Sequence, residues 1–237
     1  MISVGIIGGS GFTGAELLRL LAAHPGFEVV VTTGDSQAGS RVADLYPSLA
    51  GAYPTLPFVS IEEARDELAG VELVFLALPH GTSQSLIGQL PSSVRWIVDL
   101  SADFRLRDPS LYQRWYGEPH TAPEELPRFV YGLPELFRDE LVGASRVAAP
   151  GCYPTAATLA LAPLVEAGLV KTSGLLVDAA SGVSGAGRAL KSTTAFCTVD
   201  EDFTAYGLLS HRHTPEMEQV LGRLAAGDAE VSLLFTP

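Results

Sequence analysis

The chain opens on ISVGII, passes at once into GGSGFTG and then into AELLRLLAAH, so a β-branched run, a glycine cluster and an amphipathic run all fall within the first 24 residues. Few openings restrict a fold as tightly. Six consecutive apolar or small residues suit a strand buried on both faces, and Leu17, Leu18, Leu20 and Leu21 recur at the spacing of a helix over 13–24. Strand, glycine turn and helix in that order form the first unit of a doubly wound parallel sheet. The spacing Gly8-x-x-Gly11-x-x-Gly14 is a variant of the dinucleotide fingerprint. In it Gly8 makes the tight turn, Gly11 lets backbone approach a pyrophosphate, and Gly14 lets the helix pack close to the sheet. Ser10, Phe12 and Thr13 lie among them, where free amides at a helix start bind an anion. A turn with a purely structural purpose is the competing reading.

The alternation continues. FEVVVTT (27–33) reads as a strand, 61–70 as a short helix, VELVFLAL (71–78) as a strand, GTSQSLIGQL as a helix and WIVDLS (96–101) as a strand. From 104 to 150 charges, prolines and aromatics replace periodicity, which suggests a crossing segment between domains with one short helix near 109–116. A second unit starts at GCYPT: a helix over 154–167 kinked at Pro163, a strand over 175–181, a glycine loop, an irregular polar stretch, a helix over 215–226 and a strand over 230–235. The expected fold class is α/β. A Rossmann-type domain over 1–148 precedes an α+β catalytic domain over 149–237. A formal net charge of −12 argues against nucleic acid as partner, since phosphate binding needs a basic surface. No apolar run approaches the length of a membrane span and no basic leader opens the chain, so a cytoplasmic protein is expected. Two distant cysteines give neither a disulfide framework nor a zinc pattern.

One of those cysteines has an unusual setting. Pro154 suits the first turn of a helix, so Cys152 is expected just outside a helix N-terminus, where the macrodipole lowers a thiol pKa and favours the thiolate. A nucleotide domain followed by a reactive thiol suggests hydride chemistry on a thioester, formed when the thiolate displaces phosphate from an acyl phosphate. His211 and His213, in LSHRHTPEMEQ, are the candidate acid and base. Solvated surface is one alternative for them. A metal site with Asp200, Glu201 and Asp202 is the other, but no third and fourth zinc ligands can be assigned and no metal is expected. Cys197 has no comparable setting. The second glycine loop, SGVSGAGRALK (181–191), could hold an anion near the thiol through its amides, Arg188 and Lys191, or could be a plain surface loop. Arg105, at the end of DLSADFRL, could receive a phosphate or carboxylate or pair with Asp99 or Asp103. After the second strand, Asp35 favours NAD while Ser36, Gln37 and Arg41 favour NADP, and the residues alone leave the choice open.

Taken in order, GGSGFTGAELLRLL, LPHG, DLSADFRL, YGLPE, APGCYPTAATLAL, SGVSGAGR and HRHTPE resemble the N-acetyl-gamma-glutamyl-phosphate reductases of arginine biosynthesis from end to end. The resemblance implies NADPH-dependent reduction of N-acetylglutamyl 5-phosphate to the semialdehyde, with Cys152 as nucleophile and His211 or His213 moving the proton. It also implies a cofactor site of Gly8, Ser10, Gly11, Phe12, Thr13, Gly14, Ser36, Arg41, Leu78, Pro79, Ser181, Gly182 and Gly185. Arg105, Tyr153, Ser184 and Arg188 would face the substrate, and a homo-oligomer is expected. Asp35 stands where many members carry Arg, which keeps NAD in play. Members run on for about a hundred residues beyond a point like Pro237, so the second domain is expected to be incomplete at its C-terminus. Two other readings compete. One is the same chemistry on an aminoadipyl or aspartyl phosphate, although GCYPT is not expected in the aspartate-semialdehyde enzyme. The other is a truncated paralogue that binds nucleotide without catalysis.

Overall fold

The strand that opens the chain, β1 (Ile2–Ile7), lies inside a sheet of seven, and its last four residues are buried. The computed structural model describes residues 1–227 and 229–237. The elements run α1 (Phe12–Ala22), β2 (Phe27–Thr33), α2 (Val42–Leu45), β3 (Phe58–Val59), α3 (Ala64–Leu68), β4 (Leu73–Leu76), α4 (Thr82–Leu86), β5 (Trp96–Asp99) and α5 (Ser110–Tyr116). They continue β6 (Val130–Tyr131), α6 (Pro134–Leu141), β7 (Arg146–Ala148), α7 (Cys152–Glu166), β8 (Leu175–Asp178), α8 (Phe196–Val199), α9 (Thr214–Leu224) and β9 (Leu233–Thr236).

Every pair in the large sheet is parallel, in the order β3-β2-β1-β4-β5-β7-β6. The chain winds outward from β1 to β3, then returns to start the other half at β4. The C-terminal ends of β1 and β4 therefore border the switch point, the place where such sheets hold ligands. Alternating side chains of β1 feed two cores: Val4 and Ile6 join Leu18 and Leu21 of α1, while Ile7 joins Leu68, Leu76, Phe104 and Tyr112.

The stretch from 104 to 150 departs from expectation. Instead of only crossing between domains, it supplies β6, α6 and β7 and so lengthens the same sheet. Strands of two and three residues are too short to show a period, and β3 escaped notice for the same reason.

A second, smaller sheet pairs β8 with β9 in parallel. Leu175, Val177, Leu233 and Phe235 pack on Tyr153 and Val165 of α7 and on Met217 and Leu221 of α9. Leu176 and Leu234 point the other way and are 73% and 51% exposed. Helix α7 begins two residues earlier than its proline suggested. Gly151 is extended at the N-cap, and the Thr155 amide and hydroxyl both donate to its carbonyl, at 2.9 and 2.8 Å. Cys152 is thus the first residue inside the helix, and Pro154 sits third, where its missing N–H still leaves no bond unmade. The helix continues past Pro163, whose carbonyl accepts from the Ala167 amide.

Candidate active site

Gly8 adopts φ +94°, and a Cβ there would stand 2.3 Å from the Ala77 carbonyl oxygen, so the turn after β1 is pressed against the end of β4. Gly14 packs as closely on Gly9, while a Cβ at Gly11 would meet nothing nearer than 3.7 Å. That open side faces the start of α1. The amides of Phe12, Thr13 and Gly14 have no intrahelical acceptors, Gly11 offers no capping side chain, and the first turn carries no acid. An eleven-residue helix ending in bare amides beside a glycine cradle fits the diphosphate of a dinucleotide. Bound there, a nicotinamide dinucleotide would supply a hydride. Leu78 lies beside Gly8, and the exposed Pro79 follows it. The loop they occupy is held from below by buried Asp103, which accepts from the amides of Gly81 (2.7 Å) and Gln84 (3.0 Å) and pairs with His80 at 2.5 Å. Ser36 is exposed after β2. Arg41 is also exposed, with both arms of its guanidinium on Asp44 at 2.7 and 3.0 Å.

At the other end of the site, Cys152 is exposed while the residues on either side, Gly151 and Tyr153, are buried. A Cβ on Gly151 would stand 2.7 Å from Nε2 of His213 and 3.0 Å from Nη1 of Arg105. Only glycine lets an imidazole and a guanidinium close together on the residue before the thiol. The His213 amide donates to Nδ1 of His211 at 3.1 Å, which places the proton of the neutral His211 ring on Nε2. The two rings meet edge-on, 4.7 Å apart, and Tyr153 lies 5.6 and 5.9 Å from them. Burial, and then the charges of Arg105, His211 and Arg212, push the His213 pKa down to about 3. Its Nδ1 is buried without a hydrogen-bond partner. Burial and Arg212 lower His211 as well. The Tyr153 and Tyr206 hydroxyls share a hydrogen bond of 3.0 Å. Tyr206 is driven upward by burial, by that bond and by the charges of Tyr153 and Cys152.

Sequence reasoning missed the group that ties this together. Glu216, fully buried on α9, accepts from the Tyr131 hydroxyl at 2.7 Å and from the Gly151 amide at 2.9 Å, and faces Nη1 of Arg105 at 3.5 Å. An acid in the first turn of a helix reads as a complement to the macrodipole, so nothing in HTPE marks it as a buried hub. Arg105, read as either an anion receptor or the partner of Asp99 or Asp103, is 8% exposed, faces Glu216, and donates to the carbonyls of Ala149 (2.8 Å) and Leu100 (2.9 Å), bracing the loop before the thiol. Burial opposes its charge, and the neighbouring groups Glu216, Tyr116, Asp99 and Tyr131 together offset that, leaving its pKa raised. Nearby, burial pushes Asp99 up to about 6 against the hydrogen bonds of Ser101 and Ser83.

Ser181, Gly182, Ser184 and Gly185 are exposed on the second glycine loop. Arg188, on that same loop, reaches the first glycine turn and donates to the Ser10 carbonyl at 3.2 Å. Among the described residues no group of three or more His, Cys, Asp or Glu is placed to hold a metal ion, and no helix is long and apolar enough to cross a membrane.

Comparison with known proteins adds to this geometry. The family model described as the semialdehyde dehydrogenase NAD binding domain matches residues 3–144, and the one described as the semialdehyde dehydrogenase dimerisation domain matches residues 152–237. The N-acetyl-gamma-glutamyl-phosphate reductase of Azotobacter vinelandii is 50% identical over 237 residues, which is 100% of this chain and 68% of that protein. That of Pseudomonas aeruginosa is 51% identical over the same shares. Among solved structures, aspartate semialdehyde dehydrogenase II from Vibrio cholerae has a TM-score of 0.67 at 14% identity, covering 100% of this chain and 69% of that one. The Candida albicans aspartate semialdehyde dehydrogenase with NADP has a TM-score of 0.64 at 14% identity, covering 100% and 66%. Likeness at that identity speaks for the fold alone.

Proposed function

This chain belongs to the semialdehyde dehydrogenase family, among its N-acetyl-gamma-glutamyl-phosphate reductases, and from that premise we propose that Cys152 and His213 carry out its chemistry. The reaction is the NADPH-dependent reduction of N-acetyl-L-glutamyl 5-phosphate to N-acetyl-L-glutamate 5-semialdehyde and phosphate, a step of arginine biosynthesis. Residues 1–148 hold the nucleotide and 149–237 hold the thiol. The partners are a small acyl phosphate and, through the half matched by the dimerisation model, a further copy of the chain. Cys152 must act as a free thiol, which suits the reducing cytoplasm.

The single observation that carries the reading is an exposed thiol on the first residue of a fifteen-residue helix, with an imidazole closed onto the glycine before it. The positive end of that helix favours negative charge at the sulfur. Sγ attacks the acyl carbon; the C–S bond forms, the C–O bond to phosphate breaks, and phosphate leaves with the bonding pair. His213 is neutral at physiological pH, so it can take the thiol proton. The charge of Arg105 discourages the imidazolium from keeping it, so the proton passes on to the departing phosphate. NADPH held at the glycine turn of residues 8–14 would supply the hydride that reduces the thioester carbonyl, and Cys152 is the group set free as a thiolate when the C–S bond breaks and the aldehyde leaves. His211 holds the His213 backbone and so sets the ring's position.

The test is Cys152→Ser. The variant should bind NADPH as the parent does and lose phosphate-dependent oxidation of the semialdehyde. Turnover that survives the substitution would remove the covalent route.

A further inference from the structure

Residues 181–191 form a strap with short backbone turns of its own, Gly185 to Gly182 at 3.2 Å and Gly187 to Ser184 at 3.0 Å. All of 181–190 are exposed, and Gly187 turns through φ +84°. From this strap Arg188 crosses to the nucleotide half. Its Nη1 donates to the Ser10 carbonyl at 3.2 Å and to the Tyr46 hydroxyl at 3.3 Å, and the guanidinium lies 5.5 Å from the centre of the Tyr46 ring. Tyr46 in turn donates to the Ser10 carbonyl at 2.6 Å, and its hydroxyl lies 3.2 Å from the Gly11 carbonyl.

Two donors from distant parts of the chain therefore converge on one carbonyl in the middle of the first glycine turn. In a planar trans peptide the N–H points opposite the C=O. The amide that follows the Ser10 carbonyl, that of Gly11, donates to the Gly8 carbonyl at 3.3 Å, and the Gly11 carbonyl accepts the Ala15 amide at 2.9 Å as α1 begins, so the two outside donors fix the plane of the Ser10–Gly11 peptide just before the free Phe12 amide.

We infer that Arg188 and Tyr46 form a latch that straps residues 181–191 onto the first glycine turn and holds its amides ready for the cofactor diphosphate. Arg188 is then a positioning residue for the nucleotide, and the substrate phosphate is left to other groups. The inference rests on the reading of residues 8–14 as the NADPH turn.

The test is a titration with NADPH, followed by the nucleotide's fluorescence and without substrate, of the parent chain, R188A, R188K, Y46F and the R188A/Y46F pair. R188A should raise Kd about tenfold and Y46F about fivefold, the scale expected for hydrogen bonds that involve a charged group. R188K should recover part of the loss, because it keeps the charge and loses the planar fork. The pair should lose less than the product of the two single effects, since both side chains act on one carbonyl. R188A binding NADPH within twofold of the parent would overturn the latch, and a raised KM for the acyl phosphate in that variant would reassign Arg188 to the substrate. A parent chain that binds no NADPH would overturn the reading of the glycine turn together with the latch, which separates the two failures. Because Arg188 is exposed, a melting temperature within about 1 °C of the parent confirms that each R188 variant is folded.

Discussion

Replacing Glu216 with glutamine removes one charge from a buried cluster and leaves its shape almost unchanged. The Tyr131 hydroxyl and the Gly151 amide both donate to Oε1, so an amide oxygen there can still accept from both, but Arg105 loses the counter-charge it faces at 3.5 Å. Two unit charges at that distance attract by about 5 kcal/mol at an effective dielectric of ~20, and breaking a buried pair typically costs about 3–5 kcal/mol. Arg105 keeps its bonds to Ala149 and Leu100, so the loss belongs near the lower end, about 3 kcal/mol. For a chain of this length the unfolding entropy is about 0.5 kcal/mol/K, so the melting temperature should fall by about 6 °C. Glu216→Ala should fall further, because Tyr131, the Gly151 amide and Arg105 would all be stranded. Differential scanning calorimetry reads the shift. Iodoacetamide labelling of Cys152, resolved from Cys197 by mass spectrometry, reads whether the thiol has lost its support, and the parent and glutamine variant should label at different rates. A glutamine variant that melts within about 1 °C of the parent and labels identically would show that the charge at 216 braces nothing.

Two further expectations concern pH. Asp99 has a folded pKa of about 6, above the ~3.9 of an unfolded aspartate, so the stability it contributes is present below about pH 4 and lost as pH rises to 6. The melting temperature of Asp99→Asn relative to the parent should therefore climb between pH 4 and 6 and then level, and a difference that does not vary with pH would contradict the raised carboxyl. His213 is displaced in the other sense: its folded pKa of about 3 lies below the unfolded ~6.5, so its contribution is present above pH 6.5 and lost as pH falls toward 3. His213→Gln should flatten the drop in the urea midpoint between pH 6.5 and 4. An unchanged acid limb would mean that the imidazole takes up its proton in the folded protein.

Much of the protein could be read along the chain. β1, the glycine turn and α1 were legible because each depends on contacts within a few residues, and a period of 2 or 3.6 survives in the order of side chains. β3, β6 and β7 were not, since two or three residues cannot display a period, and their place is set by the neighbours they pair with. The candidate site divides in the same way. Cys152 announced itself through the proline after it, and the two histidines through their spacing, although the helix starts earlier than that proline indicated. Glu216 meets a backbone amide 65 residues before it and an arginine 111 residues before it. Arg188 reaches a carbonyl 178 residues earlier.

Local order determined the fold class, the first glycine turn and the place of Cys152 at a helix start, because strand, turn and helix propensities act over one or two turns of chain. Which charge would be buried, which arginine would face inward and which would cross to the other half were settled only when the sheet and α9 brought distant segments together. Burial then made every unpaired polar group costly and so selected its partner.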